Sequence, residues 1–410
     1  MESIHSLLPQ LETLEFLDFN HSLAYQRLLE PAVTPCHLRT FRCRGGAIYQ
    51  PAWLFYIAFK YPDLITLDLE ANVDVHLLDR REVDIGDVDT NKEAVLMIAR
   101  HCRKLQVARW INFAIDHQSI DYLPLSVRDL GLGHFDGLSS ATFQSIARLR
   151  LTSLVLQGTA TIDVDEMANV LGQCNDLRDL TIDCGYPYVG IRRRTHTAST
   201  MDIIDAVLSR CQNLESMHLR IAYNDRPNVI PHCRTKRHAL TCLTLVENSL
   251  DKSLFDYLAQ RCPNLGQLRL WQCCRKKSHD QIEFAIHMPQ HTLSVDIQNF
   301  YEHSFKWSRR CKLFGLTRPE GTWWYYMHKC REVEVRMHLE SCHYEIAKEV
   351  RTLDTQEVCT LDRLLRYEKI KPYPDWTTYK PNWEEYVTCG IVHIHCKAIN
   401  SFTINKKRVI

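Results

Sequence analysis

The feature that most constrains this chain is an apolar spacing, L-x-x-L-x-L, that returns along most of its length. With other apolar residues allowed at each L, it occurs at Leu11/Leu14/Phe16, Leu38/Phe41/Cys43, Leu64/Leu67/Leu69, Leu105/Ala108/Trp110, Val127/Leu130/Leu132 and Leu151/Leu154/Leu156. It continues at Leu177/Leu180/Ile182, Leu214/Met217/Leu219, Leu240/Leu243/Leu245, Leu265/Leu268/Leu270 and, weakly, Thr292/Val295/Ile297. Successive first positions differ by 27, 26, 41, 22, 24, 26, 37, 26, 25 and 27 residues. One such hexad arises easily by chance, but a spacing held over ten steps does not.

A period of 20–29 residues, with one strand and one helix in each, is that of a leucine-rich repeat. The intervening segments read as helices. Asp251–Cys262 places apolar residues at 254, 255, 258 and 259, a helical stripe, behind Asp251 as N-cap. Residues 164–174 and 201–211 repeat the design. The expected fold is α/β, a leucine-rich-repeat solenoid of the right-handed, helix-backed horseshoe type. About eleven repeats occupy residues 1–300, with long insertions near 73–90 and 185–198. Residues 301–410 are expected to form irregular further repeats and an aromatic C-terminal cap, because solenoid ends must cover their last exposed core.

Two small slots recur. Cys102, Cys174, Cys211 and Cys262 each lie three residues before a first Leu, where a small apolar thiol suits a buried corner. Tyr61 and Leu8 take that slot elsewhere, which a metal or disulfide role would not tolerate. Eight residues after the first Leu stand Asn72, Asn248 and Cys273, placed to satisfy backbone groups as the chain leaves the strand. Together these give C-x-x-L-x-x-L-x-L-x-x-C, as in Cys262 to Cys273. This form resembles the cysteine-containing repeats of F-box/LRR proteins, ribonuclease-inhibitor-like horseshoes that hold substrates for a Skp1–cullin ubiquitin ligase. The resemblance covers about residues 1–300 and implies a substrate receptor of the F-box/LRR type. The alternative is a stand-alone binding or inhibitor protein with no ubiquitin link. The first repeat begins at about residue 8, leaving no room for a recognisable F-box, so a Skp1/cullin link is expected only if one is supplied upstream.

Charge narrows the partners. Fifty basic and 49 acidic residues nearly cancel, so neither nucleic acid nor a membrane surface is expected, and the expected partner is a protein. No apolar run is long enough to span a membrane and no signal peptide is visible. Seventeen cysteines then point to reduced thiols and a cytoplasmic or nuclear location.

In each hexad the x residues flanking the L positions face the open side of the sheet. The candidate partner-binding residues are therefore Asp179, Thr181 and Asp183, then His218 and Arg220, then Arg269 and Trp271, with Arg192, Arg193 and Arg194 on the second insertion. An ordinary solvated sheet face is the competing reading, and Trp271 has the further option of tucking under the loop that follows it. No catalytic residue, cofactor or metal ligand is assigned, and no enzyme is expected: no Gly-rich phosphate loop, G-x-S-x-G or H-E-x-x-H occurs. The groups Cys330/His338/Cys342/His343 and His393/His395/Cys396 do not match zinc-finger spacing. Residues 332–339 and 389–396 alternate like half-buried strands.

Overall fold

A computed structural model describes residues 7–16, 37–45, 51–71, 88–111, 117–133, 140–157, 164–184, 199–221, 236–275, 283–301, 310–337, 340–367 and 383–410. The chain forms two compact units, Met1–His196 with Ala206–Leu214, and Thr197–Asp205 with Glu215–Ile410. Most of both expected insertions, and Asn72, lie outside the described residues.

In the first unit, strands β1 (Thr13–Phe16), β2 (Thr40–Gly45), β3 (Thr66–Ala71), β4 (Val107–Ile111), β5 (Asp129–Gly133), β6 (Ser153–Gln157) and β7 (Asp179–Cys184) run parallel, each beside the next. Helices α1 (Pro51–Lys60), α2 (Val88–His101), α3 (His117–Asp121), α4 (Ser140–Ala147) and α5 (Val164–Leu171) join them. The pairing matches the hexads: Leu14, Phe41, Leu67, Ala108, Leu130, Leu154 and Leu180 form one row, and Phe16, Cys43, Leu69, Trp110, Leu132, Leu156 and Ile182 the next. From β2 onward these residues are buried. Strand alternation accounts for this, since only alternate side chains can face the helices.

The cysteine slot behaves as a corner. Cys102, Cys211 and Cys262 donate their N–H to the carbonyl four residues earlier, and each carbonyl accepts from the first Leu of the next hexad. The Tyr61 and Leu8 carbonyls accept the same bond, from Leu64 and Leu11. Burial pushes the Cys102, Cys211 and Cys262 thiols up to about 12 and that of Cys174 to about 11.

α6 (Thr200–Arg210) contributes residues to both units. In the second unit, β8 (Ser216–Ile221), β9 (Cys242–Val246), β11 (Gln267–Trp271), β13 (Glu283–Gln298) and β17 (Ile391–Ile404) are parallel neighbours in that order. The short strands β10 (Ser249–Leu250) and β12 (Cys274–Arg275) pair beside them, and α7 (Lys252–Arg261) precedes β11. Asp251 caps α7 by accepting from Leu254 N at 3.2 Å. The helix buries Leu254, Phe255, Tyr257, Leu258 and Arg261, so Tyr257 joins the expected stripe while Ala259 is only half-buried. The Tyr257 hydroxyl is satisfied by Asp205 at 2.6 Å.

Two expectations need correction. Thr292 is exposed and Leu293 takes the buried place, because β13 bulges between Met288 and Thr292. The region after 300 is also not simply further repeats. Phe402 and Ile404 of β17 do continue the rows of Val295 and Ile297. But β14 (Leu313–Arg318), β15 (Gly321–Met337) and β16 (Glu340–Thr352) are joined antiparallel. The two-residue connection Pro319–Glu320 suits a hairpin, whereas a parallel pairing needs a long crossover. Trp324, Tyr326 and Trp383 pack together with Leu313, Leu353, Leu361, Val387 and Ile391, beside α8 (Thr355–Tyr367) and the 3₁₀ turn Trp383–Cys389. The strand expected at 332–339 falls largely in β15, and that at 389–396 in β17.

Candidate protein-binding face

In the second unit, the residues alternating with the core rows form two rows on the other side of the sheet. One is His218, Thr244, Arg269, Asp296 and Thr403; the other is Arg220, Val246, Trp271 and Gln298. Strands β8 and β11 are two spacings apart, roughly 9.6 Å. Yet the His218 and Trp271 rings approach to 6.5 Å between centroids, nearly perpendicular at 74°. Both therefore lean over β9, which explains why Thr244 and Val246 are almost covered at 3% and 9% exposure.

The polar groups on this face are mostly committed. Trp271 Nε1 donates to Asp296 Oδ2 at 2.9 Å, and Gln298 Nε2 donates to the same oxygen at 2.9 Å. Trp271 is thus held by the adjacent strand and by His218. Arg220 makes a two-pronged contact with Glu247, through Nε at 2.9 Å and an Nη at 2.8 Å. Its guanidinium is a structural partner of a buried carboxylate, not a spare charge. Arg269 differs. It is half-buried between Thr244 and Asp296, and among the described residues it makes no hydrogen bond or ion pair.

Below this face the N/C slot works as its position suggests. Asn248 is fully buried; its amide donates to the Leu219 and Val246 carbonyls at 2.8 Å each and accepts from Thr200 Oγ1 at 3.0 Å. Cys273 takes the same role one repeat on, donating to the Leu245 carbonyl at 3.2 Å.

The remaining candidates belong to the first unit. Asp179 is exposed, and Thr181 and Asp183 are half-buried, on β7. Arg192, Arg193 and Arg194 lie outside the described residues. The strand face of this unit is laced by cross-strand pairs. Arg109 reaches across Gly131 to Asp129 at 2.9 and 2.6 Å, and a Cβ at Gly131 would stand 2.8 Å from the Arg109 Cγ. The Asp129 carboxylate raises the pKa of Arg109 further above its already high value. Arg44 meets Glu70 at 3.1 Å.

Sequence reading missed Glu247 and Asp296 as elements of this face. Glu247 sits one residue past its strand, and the significance of Asp296 depends on the ring opposite it. Of the cysteine and histidine groups, Cys330, His338, Cys342 and His343 have no described side chains, while His393 and His395 share one face of β17.

Among the described residues no helix is long and apolar enough to cross a membrane. No family model matches the chain, and a search of curated proteins finds no match. Among solved structures, the chain is similar to one described as the crystal structure of the Rad7 and Elc1 complex in yeast, at 16% identity over 70% of this chain and 83% of that one, with a TM-score of 0.31.

Proposed function

We propose that this chain is a non-catalytic leucine-rich-repeat scaffold that binds a protein segment on the strand face of its second unit. The observation that carries the reading is the pairing of an uncommitted cation, Arg269, with an anchored aromatic, Trp271, on adjacent rows of one sheet. Arg and Trp dominate binding energy when they are rigid and partly desolvated before the partner arrives. The chemistry suits a segment that offers a carboxylate to Arg269 and an apolar side chain to the Trp271 ring. Trp271 and Gln298 both hydrogen-bond Asp296 through Oδ2, and its Oδ1 is buried without a hydrogen-bond partner among the described residues.

Affinity purification from the native cell with wild type and Arg269→Glu tests it. The expected result is a partner recovered with wild type and reduced tenfold or more with the variant, at an unchanged melting temperature. Equal recovery with both would remove this face from the reading.

The narrower role, substrate recognition for a ubiquitin ligase, is supported by the C-x-x-L-x-x-L-x-L-x-x-C resemblance. Probing the same eluates for Skp1 and cullin separates it from a stand-alone binder. Their absence beside an Arg269-dependent partner would discard the ligase role and leave the scaffold.

A further inference from the structure

Glu283 opens β13, and His393 and His395 project from one face of its neighbour β17. One ligand atom from each of the three lies within 4.8 Å of the others. His393 is tightly placed. Its Nδ1 hydrogen-bonds Glu283 Oε1, and its Nε2 lies 2.7 Å from Thr317 Oγ1, itself 2.8 Å from Thr322 Oγ1. Its ring lies against Trp324, centroids 4.7 Å apart, in space left by Gly315. A Cβ at Gly315 would stand 2.6 Å from both the His393 Cδ2 and the Trp324 Cζ3. The His395 ring is 4.1 Å from that of His393 and 5.5 Å from that of His287, which stands opposite it on β13.

We propose that Glu283, His393 and His395 bind a divalent transition cation of the zinc class. A hydrogen-bonded Glu–His pair accounts for Glu283 and His393 alone. It leaves His395 unexplained, a half-buried imidazole that makes no hydrogen bond or ion pair among the described residues. Two imidazoles and one carboxylate are a borderline donor set that suits zinc and leaves a coordination position open. Ligands at about 2.1 Å around a tetrahedral ion lie roughly 3.4 Å apart, so the hydrogen-bonded Glu283 Oε1 and His393 Nδ1 move apart to admit the ion between them while His395 stays within 4.8 Å of both. Glu283, with its side chain 38% exposed against 10% for His393, is free to supply that movement.

The hydroxyl pair lets His393 change role without turning. Without a cation, Nδ1–H donates to Glu283 and Nε2 accepts from the Thr317 hydroxyl. With one bound, the ring takes its other tautomer: Nδ1 gives up its proton to solvent and offers its lone pair to the metal, Nε2 takes a proton from solvent and donates to Thr317 Oγ1, and the Thr317 hydroxyl hydrogen turns to donate to Thr322 Oγ1. Such outer partners orient metal-bound histidines.

Seventeen cysteines demand a spectroscopic test that distinguishes nitrogen and oxygen from sulfur ligands. The full chain, kept reduced and stripped with chelator, is titrated with Co(II). The expected result is one Co(II) per chain with ligand-field bands and no thiolate charge-transfer band, displaced by Zn(II). Binding is lost in His395→Ala and weakened about tenfold or more in Thr317→Val. Circular dichroism and melting establish that each variant is folded. If His395→Ala is not, Glu283→Gln replaces it, keeping shape while removing charge. No binding by wild type, a thiolate band at stoichiometric Co(II), or full binding by the folded ligand variant would overturn the proposal. None of these results bears on the Arg269 face.

Discussion

Arg220 holds the carboxylate of Glu247 with two parallel hydrogen bonds, at 2.9 and 2.8 Å, and the Glu247 side chain is only 3% exposed. Glu247 is also in the left-handed region, φ 55°, directly after β9. The same backbone turn follows the next two strands at Gln272 and Asn299, and β17 at Asn405. The ion pair therefore anchors a turn that the repeat requires. Arg220→Ala leaves a buried charge unpaired and is expected to lower stability by about 3 kcal/mol. Arg269→Ala, which breaks no such pair, is expected to stay within about 0.5 kcal/mol of wild type. Urea unfolding of the two variants checks both values. Equal midpoints would mean that Arg220 is as expendable as its strand position suggests.

Asn248 satisfies two carbonyls and a hydroxyl with one buried amide. Asn248→Leu removes both donors and strands the Leu219 and Val246 carbonyls, with an expected cost of about 2–3 kcal/mol. Asn248→Asp is expected to be worse, since a carboxylate would face those carbonyls instead of an amide donor. Thermal melting of the pair ranks them, and an Asp variant as stable as the Leu variant would contradict the hydrogen-bond assignment.

The buried corner thiols carry a prediction about reactivity. Only thiolate is nucleophilic, and burial both covers these sulfurs and raises their pKa. At pH 8, alkylation of the native protein followed by mass spectrometry is expected to modify the exposed Cys359 first among the described cysteines. Cys102, Cys174, Cys211 and Cys262 are expected to react only at the rate of unfolding. Rapid native labelling of any of these four would argue against the corner packing.

α8 begins with a reciprocal cap. Glu357 N donates to Asp354 Oδ1 at 2.8 Å, and Asp354 N donates to Glu357 Oε2 at 2.9 Å. Arg351 clamps the same Glu357 carboxylate at 2.7 and 2.6 Å and, as the largest influence, holds its pKa below the usual glutamate range. A pKa lower in the folded state means that this carboxylate stabilises the fold above its unfolded pKa. That contribution is lost as pH falls through the folded value. The protection of α8 amides, measured as exchange relative to the unfolded chain at the same pH, should therefore fall on acidification below the ordinary glutamate range. The pH-dependent part should be smaller in Glu357→Gln, and an identical pH profile in that variant would assign the effect to another group.

Much of the fold was legible because one rule, that alternate strand residues face one side, acts locally and repeats. Leu67 and Leu69, and Leu268 and Leu270, are buried where the spacing put them. The corner cysteines and the Asn248 slot were readable for the same reason, being fixed steps from a strand. Polar partnerships were not readable. Arg220 and Trp271 occupy the sheet face expected of them, but whether a side chain there is free or committed depends on which strand lies beside it. Glu247 is 27 residues from Arg220, Asp296 is 25 from Trp271, and Glu283 is 110 from His393. The first two are single repeat steps, which set the partners on neighbouring strands without saying whether they bond, and no period encodes the third. The sequence by itself determined which side chains turn inward; the order in which β13, β17 and β14 lie side by side decided which polar groups meet, because strand pairing brings together segments that the chain keeps far apart.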